Sequence, residues 1–147
     1  MLAIIPAVGI YAQQKKTQSR DEWRKEMREF RMKFIAQEIE LQENQEQKFT
    51  ALYNQLCDER QVVLKKAHSA EKRLKTLGSK ATDEDYRVAS ETVAKAREEE
   101  VALEKKYSEK FGAFLSQKQL FKMKEAENKF RERLVKMRES RKKSKSE

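Results

Sequence analysis

From Ser19 onward, apolar and polar positions recur at helical spacing. Ser19-Arg20-Asp21-Glu22 reads as a capping box, a serine hydroxyl for the third amide and a glutamate reaching back. Trp23, Met27, Phe30 and Phe34 follow at steps of four, three and four, which is one helix face, and Ile35 and Ile39 broaden it. A second run carries Phe49, Leu52, Leu56, Val63, Ala67, Ala70, Leu74 and Leu77, and Gly78 stops it. Thr82 caps a third helix whose first turn holds Asp83, Glu84 and Asp85, favourable to the helix dipole. Its face is Tyr86, Ala89, Val93, Ala96, Leu103, Tyr107 and Phe114, with small alanines where a neighbouring helix can come close. The fourth helix, from Gln117 to about Arg138, presents Leu120, Met123, Phe130, Leu134 and Met137. The pattern predicts an all-α fold, an elongated bent hairpin of four helices with breaks between Leu77 and Thr82 and at Phe114 to Ser116. A break near Leu41 is weaker, because Gln42 is a poor cap, and the first helix can run into the second with only a kink.

Composition narrows the function classes. Of 147 residues, 40% are charged, against roughly a quarter in an ordinary domain. Three glycines and one proline leave little for tight turns. One His, His68, and one Cys, Cys57, cannot supply a four-ligand zinc site of Cys and His, and the glycines at 9, 78 and 112 make no P-loop. The reading is a binding or structural protein, not an enzyme, without cofactor or metal. Cys57 reads as a small buried residue beside the apolar seam, with an intermolecular disulfide as the alternative.

Charge comes in blocks. Residues 61–80 hold six basic residues and one acidic, residues 81–109 nine acidic and five basic, and residues 131–147 eight basic and three acidic. Pairing of the second and third helices across Gly78 sets the basic end of one against the acidic start of the other. The net charge of +9 favours acidic partners or membrane surfaces.

The first dozen residues differ from the rest. Leu2 to Tyr11 is uncharged and mostly apolar, and small Ala12 precedes the polar Gln13-Gln14-Lys15-Lys16. Residues 1–12 therefore read as a cleavable export segment with a truncated basic start, too short to span a membrane, with the mature chain beginning at Gln13. No transmembrane span is expected in the mature chain. Residues 13–18 are a linker, 19–139 the helical domain, and 140–147 a basic tail without apolar residues, expected to be disordered.

Leu115-Ser116-Gln117-Lys118-Gln119 closes a second capping box, with Leu115 and Leu120 as its hydrophobic staple. An imperfect copy lies at Leu41-Gln42-Glu43-Asn44-Gln45. Two such elements in a short, export-tagged helical chain resemble the LTxxQ-motif, Spy/CpxP-like periplasmic family, in its Bacteroidetes-type form. The resemblance spans roughly residues 23–138. Its motif residues are Leu41, Gln45, Leu115, Ser116 and Gln119. Gln42 and Glu46 depart from the pattern, standing where the cap and the staple belong. The family implies long bent helices, often paired as a curved antiparallel homodimer. It also implies a periplasmic role in envelope stress: ATP-independent holding of unfolded or acidic protein clients, or modulation of a membrane stress sensor.

On that reading, basic Lys65, Lys66, Lys72, Arg73 and Lys75 would capture clients, and Trp23, Met27, Phe30 and Phe34 would retain them. The competing reading of the aromatic strip is core packing or a dimer interface. A coiled-coil scaffold without chaperone activity is one alternative function. A basic nucleic-acid-binding protein is another if the chain is not exported, although the interleaved acids weigh against it.

Overall fold

The computed structural model describes residues 19–146, so the leader-like segment 1–12, the start expected at Gln13 and the whole of the linker 13–18 lie outside the described residues. These form α1 (Arg20–Glu38), α2 (Glu43–Leu77), α3 (Asp83–Gly112) and α4 (Gln117–Ser146), with a single 3-10 turn, Gly78–Lys80, between α2 and α3. Among the described residues there is no strand, and the chain is an all-α helical hairpin.

Helices α2 and α3 run antiparallel, tied across by Lys106–Glu59, Lys66–Glu99 and Arg73–Asp85 ion pairs. At 1.5 Å per residue α2 is roughly 50 Å long. The chain reverses at Gly78, which sits at φ +54 and ψ −126, a backbone region that only glycine enters freely. Thr82 then restarts the helix: its hydroxyl accepts the Asp85 N–H at 3.2 Å, and Asp85 accepts the Thr82 N–H at 2.9 Å. The basic end of α2 does face the acidic start of α3, as Arg73–Asp85 records.

The far end of the hairpin is the base, where all four helices contribute. Its core is Ile35 and Ile39 from α1 and the residue after it, Phe49, Tyr53 and Leu56 from α2, Tyr107 and Phe111 from α3, Leu115 ahead of α4, and Met123 and Ala126 within α4. Helix α1 crosses α4 locally. Phe130 meets Phe30 and Phe34 with ring centroids 5.9 and 6.0 Å apart, and Arg133 lies over the Phe34 ring. Away from the base only Val63, Ala89 and Ala96 are buried among the described residues, and residues 63–100 form a two-helix arm.

The break at Leu41 is complete rather than a kink. Leu41 N–H donates to the Ala36 carbonyl at 2.9 Å and Glu40 N–H to that of Gln37 at 3.2 Å, the paired closure of a Schellman ending. Glu40 takes the left-handed residue of that ending at φ 53, a position usually given to glycine. The other end of the chain also differs from expectation. Helix α4 continues to Ser146, where residues 140–147 had been expected to be disordered. No Gly or Pro interrupts it, and Arg and Lys are good helix formers.

Candidate functional site

The two copies of the Leu-x-x-x-Gln element, 74 residues apart at their glutamines, meet at the base. Gln45 Oε1 accepts the N–H of Gln42, its own helix cap, at 3.2 Å, and Gln119 Oε1 accepts that of Ser116 at 3.0 Å. Each carboxamide also donates to the oxygen of the other, at 3.2 Å from Gln45 and 2.9 Å from Gln119. The remaining N–H of each reaches the chain just ahead of the opposite helix: Gln45 to the Phe114 carbonyl at 3.0 Å, Gln119 to that of Ile39 at 3.5 Å. A carboxamide has two N–H donors and an oxygen that accepts twice, so both side chains are fully used. Glutamate has no donors and asparagine is a methylene shorter, which is the physical case for glutamine at both positions. Ser116 completes its own box, its hydroxyl accepting the Gln119 N–H at 3.1 Å. Leu115 is buried, and Leu41 and Leu120 pack against the same core. These motif residues are thus one structural clasp.

Beside the clasp sits a charged cluster that sequence reading missed. Glu127 of α4 is only 8% exposed. Its Oε1 takes Arg60 Nη1 of α2 at 3.1 Å and Arg31 Nη2 of α1 at 3.8 Å, so one carboxylate ties three helices. Arg28 pairs with Asp58 at 2.8 Å alongside. Burial works against charge on Arg60, but Glu127 more than offsets it and its pKa is raised. Burial also pushes the Tyr53 hydroxyl far up. The Cys57 thiol is pushed up by burial too, while Arg28, Arg31 and Arg60 pull the other way. Burial thus disfavours the thiolate, the form in which a cysteine reacts. Among the described residues no three His, Cys, Asp or Glu side chains gather as a metal set.

The residues singled out for client binding fall into two separated groups. On α1 the buried stripe is Ile35 and Ile39, which leaves Trp23 49% and Phe30 61% exposed, with Met27 and Phe34 half-buried. Phe30 rests one edge on Phe130, so it is anchored at the crossing and open on its other side. Lys65, Lys66, Lys72, Arg73 and Lys75 are all exposed on the arm. Lys66 and Arg73 pair with Glu99 and Asp85 of α3. Lys65, Lys72 and Lys75 have no carboxylate partner among the described residues. The structure therefore unites the motif residues and keeps the aromatic and basic groups apart, on base and arm.

A groove of about 570 Å³ between α3 and α4 was not anticipated. Leu56 and Met123 line it, and Val101 and Phe121, each 66% exposed, border it. Phe121 follows the stapled Leu120 directly, so the same turn that buries one side chain displays the next. No described helix is long and apolar enough to cross a membrane. Compared with protein-family models, curated proteins and solved structures, the chain matches none.

Proposed function

We propose that this chain is an ATP-independent, chaperone-like binding protein of the LTxxQ, Spy/CpxP-like kind, exported to the periplasm, that holds unfolded proteins during envelope stress. The observation that carries the reading is the exposure of Trp23 and Phe30 on α1, outside a base that already has its own aromatic core. An exposed aromatic fixed on a rigid helix offers apolar area at low entropic cost. The fully bonded Gln45–Gln119 pair supports treating the repeated motif as a working unit rather than a chance match. The basic arm adds long-range attraction to acidic, unfolded clients. The chain acts by binding and not by catalysis.

Suppression of client aggregation without ATP, followed by light scattering, tests the proposal. Stopped-flow association of an unfolded client should slow as salt shortens the Debye length from roughly 10 Å at 0.1 M to 3 Å at 1 M, while dissociation changes little. Reversing Lys65, Lys66 and Lys72 should lower the on-rate, and Phe30→Ala should raise the off-rate with the fold intact. Absence of any suppression overturns the proposal and favours the second reading, a helical scaffold. The Phe30–Phe130 contact speaks for that reading, because it gives Phe30 a packing role.

A further inference from the structure

The end of α4 is not absorbed by the proposed function. Every residue from Val135 to Ser146 is exposed, so the last turns of α4 stand clear of the base as free helix. Residues 131–146 hold eight basic and two acidic residues. From Lys136 to Lys145, none of the basic side chains is paired with a carboxylate among the described residues. Helical spacing sorts them. Phe130, Leu134, Met137 and Arg141 follow at steps of four, three and four along one face. Glu132 and Glu139, seven apart, share the opposite face. Arg133, Arg138 and Lys145 flank the apolar stripe. Phe130 is buried against α1, Leu134 is half-buried, and Met137 is 54% exposed, so the stripe that packs the base continues onto the free helix.

We infer that this exposed end of α4 is a docking element for an anionic phospholipid surface. A helix lying in a membrane interface wants a narrow apolar stripe, basic side chains beside it whose stems reach along the stripe, and acids on the far side. A juxtaposed basic residue adds attraction to acidic headgroups that falls off within a Debye length. The charge is complementary to such a surface, and exposed Met137, at the end of the stripe, gives it an apolar contact that a phosphodiester backbone would not use. With so few apolar side chains the binding is led by charge, hence reversible and sensitive to salt.

The test is co-sedimentation of the full chain with vesicles of phosphatidylcholine alone and of phosphatidylcholine mixed with phosphatidylglycerol. Binding to the mixed vesicles at low salt, absent from the neutral ones and released at 1 M salt, is the expected result. Arg138→Gln, Arg141→Gln and Lys145→Gln together should weaken it more than about tenfold. These side chains are exposed and Gln is about as good a helix former, so helix content by circular dichroism should change little. Met137→Ala should give a smaller loss. Client holding in the absence of vesicles should be unaffected by the triple change, which separates this inference from the chaperone reading. Equal binding to neutral vesicles, unaltered binding by the triple variant, or retention on nucleic acid with no binding to the mixed vesicles would each overturn it.

Discussion

The base and the arm of this molecule are built from the same two helices by different means. In the base, α2 and α3 present Phe49, Tyr53, Leu56, Tyr107 and Phe111, and α1 and α4 cover them. In the arm the same helices bury only Val63, Ala89 and Ala96, with Leu74 half-buried, and no other described helix is laid over them. Large side chains hold helices apart and need covering. Alanines let two helices meet closely, and the cross-pairs Lys66–Glu99 and Arg73–Asp85 line the rim of the seam. Exposed ion pairs add little stability each, so the arm stands mainly on its connection to the base. Packing strength is concentrated at one end, and most of the unpaired basic charge lies at the other extremities.

The largest test of that contrast is deletion of buried volume. Phe111→Ala should destabilise the fold by about 3–5 kcal/mol in urea denaturation, whereas Val63→Ala in the arm should cost about 1.5 kcal/mol. Similar values would mean that base and arm share one core. Next comes Glu127→Ala, which strands Arg60 and Arg31 in a half-buried setting and should cost about 3 kcal/mol. Changing Arg60 and Glu127 together to Met should recover most of it, and failure to recover would show that the carboxylate is needed for more than charge balance. Gln45→Ala and Gln119→Ala should each cost about 1–2 kcal/mol, and the double variant should fall short of their sum by about 1 kcal/mol. Strict additivity would dissolve the clasp into two separate caps.

Smaller still is the difference between the two caps. Ser116→Ala removes a hydroxyl that accepts the Gln119 N–H and should cost about 1 kcal/mol, while Gln42→Ala should cost much less. At the tip, Asp85 is held below its ordinary 3.8 by the Thr82 N–H and hydroxyl. A depressed carboxyl stabilises the fold above its unfolded value and loses that contribution as pH falls through the lower folded value. Protection of the amides near Thr82, taken relative to the intrinsic exchange rate at each pH, should therefore fall on acidification, and Asp85→Asn should flatten the response. Base amides losing protection in step would show the two regions opening as one.

What the sequence made legible was local. The breaks at Gly78–Thr82 and Leu115–Ser116 follow from residues within one turn of each other, as does the seam along α2 and α3. The α1 face was harder. Its apolar residues form two overlapping stripes, and only the crossing with α4 decides that Ile35 and Ile39 go inward while Trp23 and Phe30 stay out. Tyr53 and Phe111 were not placed in the core, although each extends an existing stripe by one helical step. Glu127 could not have been foreseen, because its burial depends on Arg60, 67 residues away. The break at Leu41 was underrated for a related reason: the weak cap at Gln42 is made good by Gln45, and Gln45 is held in place by Gln119.

The clasp also bears on the order in which the molecule assembles. Its two glutamines are far apart along the chain, and closing so long a loop directly is slow and entropically costly. Zipping α2 against α3 from the Gly78 turn delivers them to one place without that search. The clasp is then a late event, absent from the folding transition state. Its removal should leave the refolding rate almost unchanged and accelerate unfolding, so that the Gln45–Gln119 pair governs how long the native protein lasts rather than how fast it forms.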